Sequence, residues 1–330
     1  MAGSARRIME RSLRSAAARA HDEGMAALTD LLGIRHPIVC APMAGVAGGR
    51  LAHAVSTAGG LGMIGARGSA SPEWIAEQAA LAGAGGTPFG IGLMAWVPQR
   101  STQLDAVIAL AGEQRPALVS VSFGDVTEPV ARLRDAGLRT ACQVGNAADL
   151  EMALAAGADL VVARGGEGGG HGRDEMGTEA ILDLALGSAD RPVLAAGGIS
   201  TADDVARALG KGAAGVWCGT PFLTCVEADN TPQARAALVA ADDTRYSRVH
   251  DVAQDIAWPR EFGGRAVATP FVRRWSGDED AMTGDARGEH AAGRERGDTD
   301  YTPLYAGVGV DHLTAETDAS SVVRALVDAI

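Results

Sequence analysis

Short apolar runs recur through the first two thirds of this chain, and helix-like segments separate them. Runs of this length, apolar on both faces, are typical of strands in a parallel sheet that helices cover. Eight such strands are the number that closes a (β/α)8 TIM barrel, so we predict this α/β fold with a C-terminal capping region. An open, doubly wound sheet is the alternative. The predicted strands are Pro37–Ala41, Gly62–Gly65, Phe89–Leu93, Leu118–Ser122, Thr140–Gln143, Leu160–Ala163, Val193–Ala196 and Gly215–Cys218.

The segments between the runs carry the signals that begin and end helices. Ser71-Pro72-Glu73 and Ser200-Thr201-Ala202-Asp203 place a hydroxyl side chain before an acidic first turn, which is typical of a helix N-terminus. Glycines stand where several helices should end. The predicted helices are Gly49–Thr57, Pro72–Ala82, Thr102–Ala111, Glu128–Asp135, Ala147–Ala156, Thr178–Leu186 and Ala202–Leu209.

Composition divides the chain into three parts. Residues 1–25 are rich in Arg, Ala and Ser and lack an apolar signal core, which indicates a mobile N-terminal extension. Residues 26–225 hold the predicted barrel. Residues 226–330 are less regular, and we expect them to pack on the barrel as a helix, a cap or insert, and a closing helix.

Within the last part, the pattern predicts a helix over Asp229–Ala241 and a closing amphipathic helix over Ser320–Ile330. The stretch Arg245–Trp275 mixes aromatic, glycine and arginine residues, and we expect it to cap the barrel mouth. The polar stretch Ser276–Asp300 is typical of a surface loop or a disordered insert.

Charge and cysteine content exclude several classes of function. The net charge of −12 argues against a nucleic-acid partner, because nucleic-acid sites need clustered positive charge. No apolar run of the sequence is long enough to span a bilayer. The four cysteines form no CxxC pair, so we expect small buried residues in a reducing, cytoplasmic compartment. No histidine or carboxylate cluster has metal-ligand spacing, so no metal site is predicted.

The segment Leu160–Gly172 joins a predicted strand directly to a run with six glycines and one histidine. Glycine lets the backbone approach a ligand closely, and an imidazole titrates near neutral pH. Because sites in parallel barrels form at the carboxyl ends of the strands, this strand end should grip a flat or phosphorylated ligand and direct His171 at it. A mobile glycine loop with an exposed histidine is the alternative.

Two further strand ends, AAGGIS and CGTPF, follow the seventh and eighth predicted strands. TIM barrels commonly bind phosphate at these two positions, through backbone N–H groups and a helix N-terminus. We therefore predict a phosphate site at these turns, where Thr220 could add a hydroxyl. Tight turns that simply require glycine are the alternative.

Side chains at two other strand ends suit a flat ring. Gln143, at the end of the fifth strand, could hydrogen-bond ring nitrogens or carbonyls, or merely satisfy backbone groups. Met43, after Pro42, could pack against such a ring or belong to the plain core. With the predicted phosphate turns, these residues favour a flat, phosphorylated ligand at the barrel mouth.

Five ordered stretches of the chain resemble the nitronate monooxygenase family, formerly called 2-nitropropane dioxygenases. One such stretch alone is a weak signal, but five in order are specific, and the resemblance extends over about residues 26–330. The stretches are PIVCAPMAGVAGGRLAHAVSTAGGLGMIGA (37–66), CQVGNAADLEMALAAGADLVVARGGEGGGHG (142–172), RPVLAAGGIS (191–200), GAAGVWCGTPFL (212–223) and YAGVGV (305–310).

The resemblance implies an FMN-binding TIM barrel in which His171 matches the active-site histidine of the family. The residues that would contact the isoalloxazine ring are Ala41, Pro42, Met43 and Gln143, with Gly165, Gly166 and Gly170 shaping the pocket beside it. The residues that would hold the FMN phosphate are Gly197, Gly198, Gly219 and Thr220.

For activity, the resemblance implies oxidation of small alkyl nitronates, or of nitroalkanes after deprotonation, by O₂ to a carbonyl compound and nitrite. His171 would act as a base or donate a hydrogen bond to the nitro oxygens, and Met43, Met94, Trp96 and Phe123 would hold the alkyl group. NAD(P)H-dependent reduction of an enone or quinone, as in flavin-dependent enoyl-ACP reductases, is the alternative on this scaffold. A non-catalytic flavin- or phospho-ligand-binding module is a third hypothesis. A monomer or a homodimer is expected.

Overall fold

The computed structural model describes residues 24–112 and 114–328. Most of the predicted N-terminal extension therefore lies outside the described residues, as do the last two residues of the predicted closing helix. Each of the eight predicted strands is present, and no strand end differs from its prediction by more than one residue. These strands are β1 (Ile38–Cys40), β2 (Gly62–Gly65), β3 (Phe89–Met94), β4 (Leu118–Ser122), β5 (Thr140–Val144), β6 (Leu160–Arg164), β8 (Val193–Ala196) and β9 (Gly215–Cys218), with a short β7 (Gly170–Gly172) outside this set.

The eight strands form one parallel sheet that closes on itself. Neighbouring strands follow the order β1-β9-β8-β6-β5-β4-β3-β2, and each pair is parallel. A parallel bridge between Val39 and Leu61 joins the first strand to the chain just before β2. This seam distinguishes a barrel from an open sheet, so the predicted TIM barrel is confirmed and the doubly wound alternative is wrong.

Side chains alternate between the inside of the barrel and its helical shell. The outward-facing set, which includes Ile38, Ile64 and Val161, packs against the helices. Because both faces of each strand are buried, the strands are apolar along their whole length. The inward-facing residues that fill the barrel include Val39, Met63, Leu118, Ala141, Val162, Leu194 and Trp217.

Helices connect successive barrel strands and begin where the sequence signals predicted. The Ser71 side chain accepts a hydrogen bond from the Trp74 backbone N–H, and Thr201 and Asp204 form a capping box. One helix, α4, is displaced by two residues from its predicted position. The helices of this part are α1 (24–32), α2 (Gly49–Ala58), α3 (Pro72–Ala82), α4 (Arg100–Ala109), α5 (Thr127–Asp135), α6 (Ala147–Ala156), α7 (Thr178–Ser188) and α8 (Ala202–Gly210).

The chain after β9 adds a second sheet and more helices. Its elements are α9 (Pro232–Val239), β10 (Thr244–Ser247), α10 (Val249–Gln254), β11 (Gly263–Val267), α11 (Pro270–Trp275), α12 (Gly284–Glu295) and α13 (Ala319–Val327). The antiparallel sheet has the order β10-β11-β7, and His171 in β7 lies opposite Gly264 in β11. The residues around His171, Gly170–Gly172, thus form a paired strand. At the end of the chain, α13 packs against α2 and α8.

The polar stretch 276–300 contains a helix, so the expectation of a loop or disordered insert is wrong. The Thr283 side chain caps α12 by accepting from the Ala286 N–H. His290 is 1% exposed, and its ring lies 5.1 Å from that of Phe271. A Cβ on Gly293 would overlap the Tyr301 ring. Hydropathy missed this helix because its buried face consists of small and polar residues rather than aliphatic ones.

All four cysteines are buried and unbridged. Burial raises the pKa of Cys142 and of Cys225 to about 12, so both thiols are protonated at neutral pH. They pack as small apolar residues, as predicted. Among the residues that the structure describes, no helix has the length and apolar character needed to cross a membrane.

Candidate active site

The predicted ligand residues meet at the carboxyl end of the barrel. A Cβ on Gly219, after β9, would lie 3.4 Å from the Met43 Sδ and 3.7 Å from the Ala41 Cβ. A Cβ on Gly197, after β8, would lie 3.0 Å from the carbonyl oxygen of Gly165, after β6. The topology therefore assembles residues from distant stretches of sequence around one mouth.

The turn after β1 is fixed against two glycines in neighbouring strands. A Cβ on Gly92 would overlap the Pro42 ring, and a Cβ on Gly65 would overlap the Met43 backbone. Neither clash involves a flexible side-chain end, so both positions require glycine. Pro42 and Met43 are thus held against β2 and β3, at the place where the resemblance puts a flavin ring.

Gln143, one residue before the end of β5, and Arg164, the last residue of β6, face the barrel interior. Each lies two residues beyond a member of the cluster that fills the barrel, Ala141 and Val162 respectively. Gln143 is half-buried, and its backbone N–H donates to the Ser122 Oγ. Within the described part of the chain its side-chain amide has no protein partner, so it is available to a ligand.

The glycine-rich segment, residues 165–172, wraps around the Arg164 guanidinium. Arg164 is 4% exposed. A Cβ on Gly168 would lie 2.7 Å from its Nε, and a Cβ on Gly172 would overlap its Nη1. The carbonyl oxygens that accept its hydrogen bonds belong to Gly168 (2.7 Å), Gly169 (3.2 Å), Gly170 (3.1 Å) and Arg173 (3.1 Å). The glycines therefore let the backbone pass close to a buried cation.

His171 is held by a buried carboxylate from the C-terminal part of the chain. Its Nε2 lies 2.9 Å from Oδ1 and 3.1 Å from Oδ2 of Asp251, which is 2% exposed. An ionised carboxylate only accepts hydrogen bonds, so Nε2 carries the hydrogen and Nδ1 of the neutral ring keeps its lone pair. This pairing fixes the orientation of the imidazole ring.

An aromatic wall, formed by Trp96, Phe123, Trp258 and Phe262, stands beside His171. Trp258 stacks on the imidazole, with ring centroids 3.8 Å apart and planes 7° apart. It also lies 4.6 Å from Trp96 and 5.3 Å from Phe123, and Phe123 lies 5.6 Å from Phe262. Trp258 thus connects two predicted pocket residues, Trp96 and Phe123, to the predicted catalytic histidine.

Phe123 joins this wall from a strained backbone position. Its φ is +69°, in the left-handed region that a bulky side chain rarely adopts. Such strain costs about 1–3 kcal/mol and concentrates at functional sites. The third predicted pocket residue, Met94, ends β3 and is half-buried. Its Cε lies 3.9 Å from the Cβ position of Gly68.

The YAGVGV stretch, residues 305–310, packs between the glycine-rich segment and the turn after β9. The Gly307 N–H donates to the Thr220 Oγ1 at 2.9 Å, and the Val308 N–H donates to the Glu167 carbonyl at 3.0 Å. A Cβ on Gly169 would lie 2.5 Å from the Gly307 nitrogen. The Thr220 hydroxyl is thus used as an acceptor within the protein, which leaves its hydrogen for a ligand.

The turn after β8 combines left-handed glycines with an unpaired hydroxyl. Gly197 and Gly198 have φ values of +105° and +65°, so side chains are disfavoured at both positions. The Ser200 Oγ is buried and has no hydrogen-bond partner among the described residues. A buried polar atom without a partner is unfavourable unless a ligand or water satisfies it. This turn therefore suits an oxygen-rich group such as phosphate.

Two histidines from the C-terminal part of the chain, His250 and His290, form a buried pair behind the site. His250 Nδ1 lies 3.2 Å from His290 Nε2, and burial lowers their pKa values to about 3 and about 4. The Tyr305 ring lies 5.1 Å from that of His171 and 6.1 Å from that of His250. This contact between α10 and α12 supports the helix that carries Asp251.

Sequence reasoning missed four residues of this site: Arg164, Asp251, Trp258 and Phe262. A signal was available for Arg164, because an arginine that directly continues an apolar strand is unusual. Asp251 and Trp258 lie in a segment without any recognisable motif. In the described ranges, no group of three or more His, Cys, Asp or Glu side chains could hold a metal ion.

This barrel and its mouth belong to one family of enzymes. The sequence profile described as nitronate monooxygenase matches residues 25–329, and the chain is a member of that family. The family and its structural neighbours make the protein an oxidoreductase with a flavin cofactor. The sequence-based assignment to this family is thus confirmed.

Individual relatives cover nearly the whole chain. The nitronate monooxygenase of Pseudomonas aeruginosa is 30% identical, over 91% of this chain and 97% of its own. Nitroalkane oxidase from Streptomyces ansochromogenes has a TM-score of 0.77 at 29% identity and covers 92% of this chain and 99% of its own. FabK from Thermotoga maritima has a TM-score of 0.79 at 29% identity and covers 92% of this chain and 94% of its own.

Proposed function

We propose that the protein is an FMN-dependent monooxygenase that oxidises small alkyl nitronates, and nitroalkanes after deprotonation, with O₂ to a carbonyl compound and nitrite. The observation that carries this proposal is the His171–Asp251 pair beside the aromatic wall at the barrel mouth. The likeness to a nitronate monooxygenase and to a nitroalkane oxidase supports it. Four unbridged cysteines suit the reducing cytoplasm as its location, and we expect a monomer or homodimer.

The residues at the mouth fit FMN. Gly197 and Gly198 present backbone without side chains, and the Ser200 hydroxyl lacks a partner in the described part of the protein. Both features suit the phosphate group. The side-chain amide of Gln143 faces the barrel interior, where it can bond to ring nitrogens or carbonyls. Pro42 and Met43 supply an apolar surface for the ring. We therefore assign the phosphate to the β8 and β9 turns and the ring to the β1 and β5 ends.

The protein's own part in the reaction is binding and proton transfer. FMN, when bound, supplies electron transfer and reactivity toward O₂. His171 takes the α-proton of a neutral nitroalkane at Nδ1, while Asp251 stabilises the imidazolium that forms. The aromatic wall excludes water and holds the alkyl group. A substrate that arrives as the nitronate bypasses the proton transfer and needs only binding and orientation.

A second candidate is NAD(P)H-dependent reduction of an enone or quinone on the same scaffold. The similarity to FabK, at a TM-score of 0.79, supports this second candidate. Fold similarity at this level does not fix the substrate. The two candidates differ in the electron donor, so the donor is the property to test.

Anaerobic mixing of the purified protein with propyl-2-nitronate, and separately with NADPH, tests both candidates. The absorbance spectrum of bound flavin is followed, and nitrite is assayed after air is admitted. Bleaching by nitronate alone, followed by nitrite release in air, is the expected result. Bleaching by NADPH alone would replace the monooxygenase with a reductase. A protein that holds no FMN and cannot be reconstituted with it would refute the cofactor assignment.

A further inference from the structure

Arg164 is a buried cation whose guanidinium contacts carbonyl oxygens rather than a carboxylate, and Asp174 and Glu167 favour its charge only from a greater distance. It is 4% exposed, and its hydrogen bonds go to backbone carbonyl oxygens of the glycine-rich segment. Within the described residues, no carboxylate lies within salt-bridge distance of its guanidinium. Burial lowers its pKa to about 10, so the side chain still carries its charge at neutral pH.

Neighbouring arginines at the same mouth are paired. Arg173 makes a two-point contact with Asp149, at 2.8 and 3.0 Å, and Arg265 lies 3.2 Å from Asp174. Burying a charge without a partner is strongly unfavourable. A side chain needed only to hold a loop could be neutral or ion-paired, so the unpaired charge of Arg164 itself requires an explanation.

The position of Arg164 supplies that explanation. Arg164 and Gln143 line one cavity near the ends of β5 and β6, together with Phe123 and Phe262 of the aromatic wall and with Cys142 and Met152 on the side of the helical shell. Two-electron reduction of a flavin with uptake of one proton leaves one negative charge on the ring. A positive charge near the ring stabilises that form and so raises its reduction potential.

We propose that Arg164 sets the reduction potential of the bound flavin, and that its four carbonyl contacts serve to hold the charge beside the ring. This inference rests on the ring placement of the proposed function, with Gln143 as a ring contact. The electrons come from the substrate, and Arg164 exchanges neither electrons nor protons. Its charge makes the flavin a better acceptor for electrons from a weak donor.

The test compares variants that separate the charge from the hydrogen bonds. Arg164→Gln keeps donors but removes the charge, Arg164→Met fills the space without either, and Arg164→Lys keeps the charge but loses the guanidinium fork. Arg207→Gln, on an exposed side chain of α8, controls for net charge. The midpoint potential of bound flavin is measured by reduction against reference dyes at neutral pH.

We expect at least one flavin-loaded neutral variant to show a reduction equilibrium constant about tenfold lower, which is about 30 mV for two electrons. Arg164→Lys should stay within about threefold of the unmodified protein, and Arg207→Gln should not change. Equal shifts of the potential in the lysine and neutral variants, or unchanged potentials in all variants, would overturn the proposed role of Arg164. Neither result would overturn the proposed function. Absence of flavin from the unmodified protein would overturn the proposed cofactor as well.

Discussion

Replacing Asp251 with Asn tests whether the carboxylate behind His171 supports proton abstraction. The two side chains have nearly the same size, and the site is 2% exposed, so the change removes a charge without opening a cavity. An amide can donate to Nε2 and thereby move the imidazole hydrogen to Nδ1, which then cannot act as a base. The loss should fall on neutral nitroalkanes and spare preformed nitronates.

The size of the effect follows from the contact. Nε2 lies 2.9 and 3.1 Å from the two oxygens of a buried carboxylate. A hydrogen bond to a charged group contributes about 1.5–3 kcal/mol, and 1.36 kcal/mol corresponds to tenfold in rate. We therefore expect kcat/KM for a neutral nitroalkane to fall about 10- to 160-fold.

Nitrite release from 2-nitropropane and from propyl-2-nitronate provides the assay, at matched flavin content. Asp255→Asn is the matched control, because that residue is exposed and its φ of +55° is one that Asn tolerates. The control should retain both activities. Equal losses with the two substrates, or no loss with 2-nitropropane, would refute the reasoning that Asp251 supports a base.

Three further substitutions probe the mouth. His171→Ala should leave the protein yellow, because the proposed ring and phosphate contacts involve other residues. It should lower nitroalkane turnover by about 10²-fold or more, and unchanged nitrite release would remove His171 from the mechanism. Gly198→Asp should release flavin, because it adds a charged side chain at a φ of +65°. The ratio of flavin to protein absorbance measures the bound flavin. Gly187→Asp is the control, because Gly187 has open space around it. Gly92→Ala should lower the free energy of unfolding by about 1–3 kcal/mol through overlap with Pro42, and an unchanged urea midpoint would contradict that packing argument.

The barrel could be predicted because its strands are buried on both faces. That burial makes each strand a short apolar run, so the number and order of the runs define the architecture. Helix α12 could not be predicted in this way. Its buried side chains include His290, whose partner His250 lies 40 residues away, and such a contact leaves no period in the hydropathy.

The same distinction holds at the active site. Residues at strand ends, such as Gln143 and His171, could be identified because topology alone places them at the mouth. Asp251 lies 80 residues from His171, and nothing in either local sequence indicates the pairing. The prediction ended β6 at Ala163, one residue before Arg164, because a charged residue normally ends an apolar run.

The pairing of β7 with β11 has a consequence for how this protein is made. All eight barrel strands precede residue 219, whereas β11, Asp251 and Trp258 come later in the chain. The ribosome releases the N-terminal part first, so the barrel strands emerge before Asp251 and Trp258, which contact His171. A chain that has just completed its barrel strands presents the edge of β7 unpaired and its histidine without a carboxylate. The His171–Asp251 pair is therefore completed only after synthesis has passed into the last third of the chain.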